Sequence, residues 1–359
     1  MRTLRRVLSD LEVSVEHCTE VDSAVRRLTR RRFEAVIVDC EDQQIAAQVF
    51  RSVRSAPRNK RAVAVAVIDS HNDVNSAFRL GAHFALHKPL TLERARSSFR
   101  AARALMKCER RRNVRVPIEI PVSFVGGPVR SQHLTTSDLG EGGMAVKIPR
   151  RSKPSGMVTV RFTLPGTNHT VVCQGETAWD SSGSQTGIRF LDLSLEHRDR
   201  LRAWLTRHSP EFEEQDPPIR CELTDLSQGG CYLKTATPFP ARTRLVLIMR
   251  VGESRAHVDA IVRVMHPSSG MGLEFMHADN EREQVTLFLR ALANTRNAMP
   301  EIEVEPEGID DQAPSNQESD SNDPLLNLLR RGFNLSPEKF QEQLRTLRVP
   351  KTPARAANV

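Results

Sequence analysis

The sequence has no hydrophobic run long enough to cross a membrane, because it contains no 18 consecutive apolar residues. Hydrophobic residues still make up 39% of the 359 residues, enough for buried cores in two or three domains. The first residues, MRTLRRVLSD, lack the apolar segment of a secretory signal. We therefore expect a cytosolic protein without a membrane anchor.

Paired cysteines and catalytic motifs are missing as well. The six cysteines form no Cys-x-x-Cys pair, and the eleven histidines form no His-Glu-x-x-His motif. There is no Walker loop, no Gly-x-Ser-x-Gly motif and no convincing pair of catalytic carboxylates. We predict reduced thiols, no metal, no cofactor and no enzymatic activity.

Positive charge is abundant but unevenly distributed. Arginine supplies 44 of the 52 basic residues, and residues 1–115 hold 24 basic and 13 acidic residues, a net charge of +11. Residues 301–323 hold nine acidic residues and no basic one. Codon bias in a GC-rich genome would explain the arginines, and so would recognition of phosphate, which guanidinium groups bind through two hydrogen bonds.

Residues 1–107 alternate between strand and helix patterns. The runs FEAVIVDC and RAVAVAVIDS are typical of buried parallel strands. Helical patterns separate them, and a last helix, about Leu92 to Lys107, leads directly into an arginine cluster at residues 110–115. The pattern predicts an α/β domain.

This region resembles a response-regulator receiver domain. Asp39, at the end of its strand, matches the family's phosphoacceptor, and Lys88, before Pro89, matches its conserved lysine. Asp69 or Ser70 falls near the family's Thr/Ser position. The acidic pair that holds Mg²⁺ in the family is missing, because the chain begins inside what would be the first helix. We predict a truncated, degenerate receiver-like (flavodoxin-like) domain in which Asp39 and Lys88 are vestigial and Asp39 accepts no phosphate.

Two similar units follow, at residues 108–209 and 216–296. The segment DLGEGGMAVK at Asp138 recurs as DLSQGGCYLK at Asp225, 87 residues later, and TGIRF at Gly187 recurs as MGLEF at Gly272, 85 residues later. Short strands with glycine-rich turns surround both copies, and each unit closes with a helix pattern. A tandem duplication of a small antiparallel β-barrel is therefore predicted.

The remaining chain divides into two parts. Residues 297–322 are acidic and rich in Pro, Ser and Asn, which predicts a disordered linker. Residues 323–349 contain two helix caps, Asp323 and Ser336, each followed by proline, and we expect two short helices there. The apolar stripe of the second helix consists of Phe340, Leu344 and Leu347.

The duplicated units resemble the PilZ domain, the bacterial receptor module for cyclic di-GMP. The family signature is an Arg-x-x-x-Arg arm before the first strand and an [Asp/Asn]-x-Ser-x-x-Gly turn after the second. In the first unit, Arg111 and Arg115 match the arm, and Asp138 and Gly143 match the turn, whereas Gly140 replaces the serine. The loss of that hydroxyl predicts that Gly140→Ser strengthens binding modestly.

The second unit matches the turn completely but has no arm. Asp225, Ser227 and Gly230 fit the signature, whereas the preceding segment EFEEQDPPIRCEL is acidic. Arg198 and Arg202 have the spacing of an arm, but they fall in the closing helix of the first unit, so we interpret this match as accidental. The missing arginines would cost roughly 3–6 kcal/mol of binding energy, which makes the first unit the expected binder.

The resemblance implies a cytosolic, non-enzymatic cyclic di-GMP effector. Guanidinium groups bind phosphate or the O6/N7 edge of guanine, and a carboxylate accepts from guanine N–H groups. The like charges of the arm predict a loose arm that the ligand orders, changing the domain arrangement and the contacts with an unidentified protein partner. That partner would bind the tail helices or the second PilZ domain. The expected ligand-binding residues are Arg110, Arg111, Arg115, Asp138, Gly140 and Gly143.

Two other functions remain open. The chain could be a ligand-blind scaffold in motility, pilus or surface-attachment machinery. It could also be a nucleic-acid-binding regulator, which the basic N-terminal third suggests but the lack of an aromatic-laced basic face or a helix-turn-helix pattern disfavours.

Overall fold

A computed structural model describes residues 2–11, 13–69, 74–125, 132–148, 156–181, 185–209, 217–267, 269–276, 279–294, 299–309, 322–332 and 335–348. The chain divides into two compact units. One unit contains Met1–Cys108 and Asp216–Val359, and the other contains Glu109–Gln215. None of the helices in the described ranges is long and apolar enough to span a bilayer.

The N-terminal region has the predicted α/β fold. Its parallel sheet has the order β1-β2-β3, formed by β1 (Ala35–Asp39), β2 (Val63–Ile68) and β3 (Phe84–His87). The central strand β2 is buried at every position, as expected of a strand covered on both faces. The helices of this region are α1 (Arg2–Asp10), α2 (Val21–Arg30), α3 (Gln43–Ser55), α4 (Val74–Arg79) and α5 (Leu92–Asn113).

Helix α5 continues through the arginine cluster to Asn113, so the predicted helix end near Lys107 is wrong, whereas the looseness of the arm without ligand stays a prediction. Local contacts offset the repulsion between the arginines. The carboxylate of Glu109 lies 3.4 Å from the Arg112 guanidinium, and the Asn113 side chain donates to the Glu109 carbonyl. Three consecutive arginines can therefore stay helical without a bound anion.

The compact unit Glu109–Gln215 contains the first barrel, which is closed and antiparallel. Its six barrel strands have the order β5-β6-β7-β10-β9-β8, with β8 pairing back to β5, and a short β4 extends from β6. The elements are β4 (Val116–Pro117), β5 (Pro121–Val125), β6 (Gln132–Gly140), β7 (Gly143–Lys147), β8 (Met157–Thr163), β9 (Thr170–Ser181), β10 (Gln185–Asp192) and α6 (Leu195–His208). Inward side chains such as Phe162 and Ile188 fill the core, and Trp204 of α6 packs against it.

The second barrel belongs to the other compact unit, which includes Asp216–Val359. It is also closed, with the strand order β11-β12-β15-β14-β13-β16. The duplication predicted from the sequence is thus confirmed as two six-stranded barrels. The elements are β11 (Ile219–Leu226), β12 (Gly230–Lys234), β13 (Thr243–Val251), β14 (Ser254–His266), β15 (Gly270–Phe275), α7 (Asp279–Asn294) and β16 (Glu301–Ile309).

Strand β16 corrects two predictions. It pairs with β11 and β13, as β5 of the first barrel pairs with β6 and β8, so the second barrel takes its equivalent of the first strand from the end of its sequence. The barrel therefore does not end at residue 296, and residues 301–309 are not a disordered linker. The acidic residues that suggested disorder alternate with the buried Ile302 and Val304, the pattern of a strand with one solvated face.

The tail forms the two helices predicted from its caps, α8 (Pro324–Arg331) and α9 (Pro337–Arg348). Asp323 caps α8 by accepting a hydrogen bond from the Leu326 amide. Phe340 and Leu344 are buried as expected, but Leu347 is 44% exposed and does not belong to the apolar stripe. Residues 310–321 of the predicted linker and residue 349 of the predicted tail lie outside the described ranges.

Candidate functional site

The two parts of the first PilZ-like motif meet at the hairpin between β6 and β7. Gly140 and Gly143 face each other across this hairpin. Strand β4 pairs with β6, with Val116 opposite Leu139 and Pro117 opposite Asp138. This register brings Arg115, at the end of the arm, beside the turn.

Arg115 and Asp138 form the accessible polar pair of this site. The Arg115 guanidinium donates to the Gly143 carbonyl at 2.6 Å and lies 3.8 Å from a carboxylate oxygen of Asp138. Their side chains are 41% and 30% exposed. Burial lowers the pKa of Arg115 and Asp138 opposes this, so the guanidinium stays charged. A cationic donor next to an anionic acceptor matches both edges of guanine.

The glycines of the hairpin allow the backbone and the arm to approach closely. A Cβ on Gly140 would lie 2.8 Å from the Val114 carbonyl and 2.9 Å from Cδ of Arg115, and one on Gly143 would overlap the Ile188 carbonyl. Because Arg115 lies across Gly140, a serine there would have to displace the arm first. The premise that only a hydroxyl is missing is therefore wrong, and Gly140→Ser is not expected to strengthen binding.

Arg111 does not share the accessible surface of Arg115. Its side chain is only 3% exposed, and its Nε lies 3.8 Å from Glu141 at the hairpin tip. Arg202 of α6 also donates to Glu141. The sequence match of Arg202 to a second arm was accidental, as interpreted, but its structural partner could not be read from the sequence. Arg110 is exposed on the last turn of α5.

Trp179 is a site residue that the sequence reasoning missed. Its indole is 48% exposed and lies over Gly187, where any Cβ would overlap the ring. Gly187 pairs with Ala145 of β7, so the indole lies on the strand next to the hairpin strand. The repeated glycine at positions 187 and 272 was the available signal. Trp179 ends the cross-strand row Asp138, Ala145, Gly187, Trp179, and an exposed indole in that row provides a surface on which a base can stack.

The second barrel forms the same hairpin with a covered surface. The Ser227 hydroxyl accepts from the Gly230 amide at 3.2 Å, and the Ser227 amide donates to the Gly230 carbonyl at 2.9 Å. The Asp225 carboxylate accepts two hydrogen bonds from Arg348 of α9, at 2.7 and 2.6 Å. The three predicted residues of this degenerate motif therefore meet, but the chain itself occupies them.

The receiver-like region brings its predicted pair together. The Lys88 ammonium lies 2.9 Å from Asp39, 3.5 Å from Asp69 and 3.9 Å from Glu41. The hydrogen bond to Asp39 is the main reason why the pKa of Lys88 is raised. Ser70 lies outside the described residues. Within the described ranges, no three His, Cys, Asp or Glu side chains are placed to hold a metal ion.

Comparison with protein families matches the PilZ domain model to residues 109–207 and 206–291. Together these segments span 109–291, which is 183 of 359 residues. Comparison with curated proteins gives no match.

Three solved structures illustrate the similarity to known folds. The PilZ domain of CeSA from a cellulose-synthesizing bacterium is 24% identical, with 27% of this chain and 100% of that chain covered and a TM-score of 0.23. The PilZ domain of YcgR from Escherichia coli, solved with c-di-GMP, is 15% identical, with coverage of 28% and 93% and a TM-score of 0.24. The receiver domain of a sensor histidine kinase from Pseudomonas aeruginosa PAO1 is 19% identical, with coverage of 29% and 86% and a TM-score of 0.26.

Proposed function

Because the chain belongs to the PilZ domain family, we propose that it is a cytosolic, non-enzymatic effector whose first barrel binds cyclic di-GMP. The observation that carries this proposal is the accessible pair of Arg115 and Asp138 on a glycine-lined hairpin. The six cysteines are free thiols, which fits a reducing cytosol.

Each residue of the site has a distinct role in this proposal. Arg115 exchanges its bond to the Gly143 carbonyl for a phosphate or a guanine edge, which a guanidinium binds more strongly than a neutral acceptor. Asp138 accepts from guanine N–H groups, and Trp179 stacks on a base. Gly143 keeps β7 and β10 close together, because a Cβ there would overlap the Ile188 carbonyl. Arg110 supplies additional positive charge from the end of α5.

Arg111 provides the link to a conformational response. To reach the ligand, it must leave Glu141, where it is buried in the last turn of α5. Ligand binding would therefore disturb the end of α5, and the effect is limited by how much the ligand prefers the rearranged arm. Hydrogen exchange over residues 105–118, with and without cyclic di-GMP, tests this step. Unchanged exchange there, with protection at Asp138, would exclude it.

Calorimetric titration of the full chain with cyclic di-GMP tests the binding site itself. We expect Arg115→Ala to weaken binding by about 10- to 100-fold, because a hydrogen bond to a charged group is lost. Arg348→Ala is the matched control, since it removes the equivalent arginine from the aspartate of the other barrel. Equal effects of the two substitutions would remove the first barrel from consideration.

A ligand-blind scaffold is the second candidate, because Arg111 is almost fully buried against Glu141. If this candidate is correct, the full chain will show no heat of binding to cyclic di-GMP while Glu141→Gln, which releases Arg111, gains measurable affinity.

A further inference from the structure

The tail helices lie on the second barrel's equivalent of the ligand-binding surface. We call this surface the motif face; it consists of Asp225, Gly229, Gly230, Gly272 and Glu274. Helices α8 and α9 contact all five residues. The tail and the motif face belong to the same compact unit.

Leucine side chains of the tail pack against glycines of the motif face. A Cβ on Gly230 would lie 2.9 Å from a methyl group of Leu329, and one on Gly272 would overlap the other methyl group. A Cβ on Gly229 would lie 2.7 Å from Leu326. Gly230 is also required by the barrel itself, because a Cβ there would overlap the Leu273 carbonyl, whereas Gly229 and Gly272 leave room for the tail leucines.

Two polar contacts fix the position of α8 on the motif face. Asp323 accepts from the Gly229 amide at 2.9 Å through one oxygen, while its other oxygen caps the helix. Arg330 donates to Glu274 at 2.6 and 3.2 Å. Glu274 also binds Arg263 at 2.5 Å, so this carboxylate is fully engaged.

Arg348 of α9 pairs with Asp225, the counterpart of the aspartate that Arg115 faces in the first barrel. It binds both oxygens of Asp225, a carboxylate that is only 10% exposed, whereas Arg115 faces the equivalent Asp138 at 3.8 Å. A bidentate arginine–carboxylate pair is geometrically selective. The aspartate of each hairpin thus pairs with an arginine, supplied from opposite ends of the barrel's chain.

An apolar cluster beneath the two helices completes the contact. Tyr232 and Val264 of the barrel contact tail side chains that are almost completely buried. The Tyr232 hydroxyl also accepts from Gln341 of α9 at 3.1 Å. The tail members of this cluster are Leu325, Leu328, Leu329, Phe340 and Leu344.

We propose that the motif face of the second barrel is a peptide-binding site and that its ligand is the chain's own residues 322–348. The site recognises an arginine-bearing helical hairpin. Arg348 pairs with Asp225, and Leu329 lies between Gly230 and Gly272. The site does not recognise a nucleotide. This inference does not depend on whether the first barrel binds cyclic di-GMP.

The test uses the full chain with a protease cleavage site inserted within residues 310–321. After cleavage and removal of the tail, a labelled synthetic peptide of residues 322–349 is titrated into the remaining protein. We expect saturable binding that Arg348→Ala in the peptide weakens about 10- to 100-fold. The control peptide carries Arg345→Ala, since Arg345 is exposed on the same helix. In the Asp225→Asn protein, the Arg348→Ala peptide and the unchanged peptide should bind with the same affinity.

Three outcomes would overturn the proposal. They are no binding of the peptide to a folded, tail-free protein, equal affinities for the two variant peptides, and a new cyclic di-GMP site that appears when the tail is removed. If the tail-free protein unfolds, hydrogen exchange of the intact chain replaces the titration. Arg348→Ala must then speed exchange in α9 while Arg345→Ala does not, and equal rates would reject the site.

Discussion

The two barrels share one strand arrangement but are completed from opposite ends of their sequences. In the first barrel, β5 and the arginine arm precede the hairpin; in the second, β16 and the arginine-bearing tail follow it. Both arrangements place an arginine against the hairpin aspartate. In both barrels the hairpin aspartate pairs with an arginine, and the connectivity of the chain determines which segment supplies that arginine.

This difference explains why the second barrel has no arm before β11. Its equivalent of the first strand is β16, so an arm would have to lie just before residue 301. The residues there, TRNAMP, contain one arginine rather than the paired arginines of the signature. The acidic segment before β11 is simply not the arm position, and its charge says nothing about ligand binding.

The largest expected effect concerns the hairpin tip of the first barrel. Glu141 holds Arg111 and Arg202 there, whereas the equivalent Gln228 of the second barrel is exposed. Glu141→Ala removes the carboxylate that two poorly solvated guanidinium groups share and should cost about 3 kcal/mol of stability. Gln228→Ala should cost less than about 0.5 kcal/mol. Urea unfolding measures both, and similar costs would contradict the buried network.

Much of this comparison could be predicted from the sequence. The repeated DLGEGG and DLSQGG segments predict the duplication, and the alternation of apolar and polar residues predicts the strands, because both signals are local in the sequence. The Asp323 and Ser336 caps likewise predict the starts of both tail helices. The role of β16 was missed because strand order is non-local and its outward glutamates resemble a disordered acidic segment. The buried state of Arg111 was missed because it depends on the hairpin tip, where Glu141 approaches Arg111 only in the folded barrel.

The second prediction uses pH to separate the barrels. Burial lowers the pKa of His266 from 6.5 to about 4, and a weaker effect of Glu338 opposes this. The equivalent position of the first barrel is Ser181, which does not titrate. As pH falls from 6.5 towards 4, the unfolded chain binds a proton that the folded His266 does not, so stability is lost, by up to about 3 kcal/mol.

The control for this prediction is His266→Asn, whose side-chain amide can hydrogen-bond to the Tyr232 hydroxyl in place of Nδ1. His83 also has a lowered pKa, caused first by burial, but it is present in both proteins and cancels in the difference. Denaturant unfolding between pH 7 and 4 should show a shallower loss of stability in the variant. Parallel curves would show that His266 is not buried under α9.

The third prediction compares the repeated glycines. Gly272→Ala forces a methyl group into Leu329 and Val264, which are both buried, and should cost about 1–3 kcal/mol. Gly187→Ala meets the indole of Trp179, which is half exposed and can move aside. We expect a smaller loss there, measured by thermal unfolding. A larger loss for Gly187→Ala would mean that Trp179 is fixed in place and not available to a ligand.

The smallest effect concerns the attachment of α8. Asp323 caps this helix and also accepts from the Gly229 amide, whereas Asp42 caps α3 through the amides of Gln44 and Ile45. Removing a cap costs about 1 kcal/mol in either helix. Asp323→Ala also leaves the part-buried Gly229 amide without this acceptor, so it should cost more than Asp42→Ala by about 0.5–1.5 kcal/mol. Hydrogen exchange gives the local measure, because the extra loss should appear as faster exchange at Gly229 and along α8. Equal costs, with unchanged exchange at Gly229, would show that α8 is held by its leucines alone and that the hairpin amide of the second barrel does not help to bind the tail.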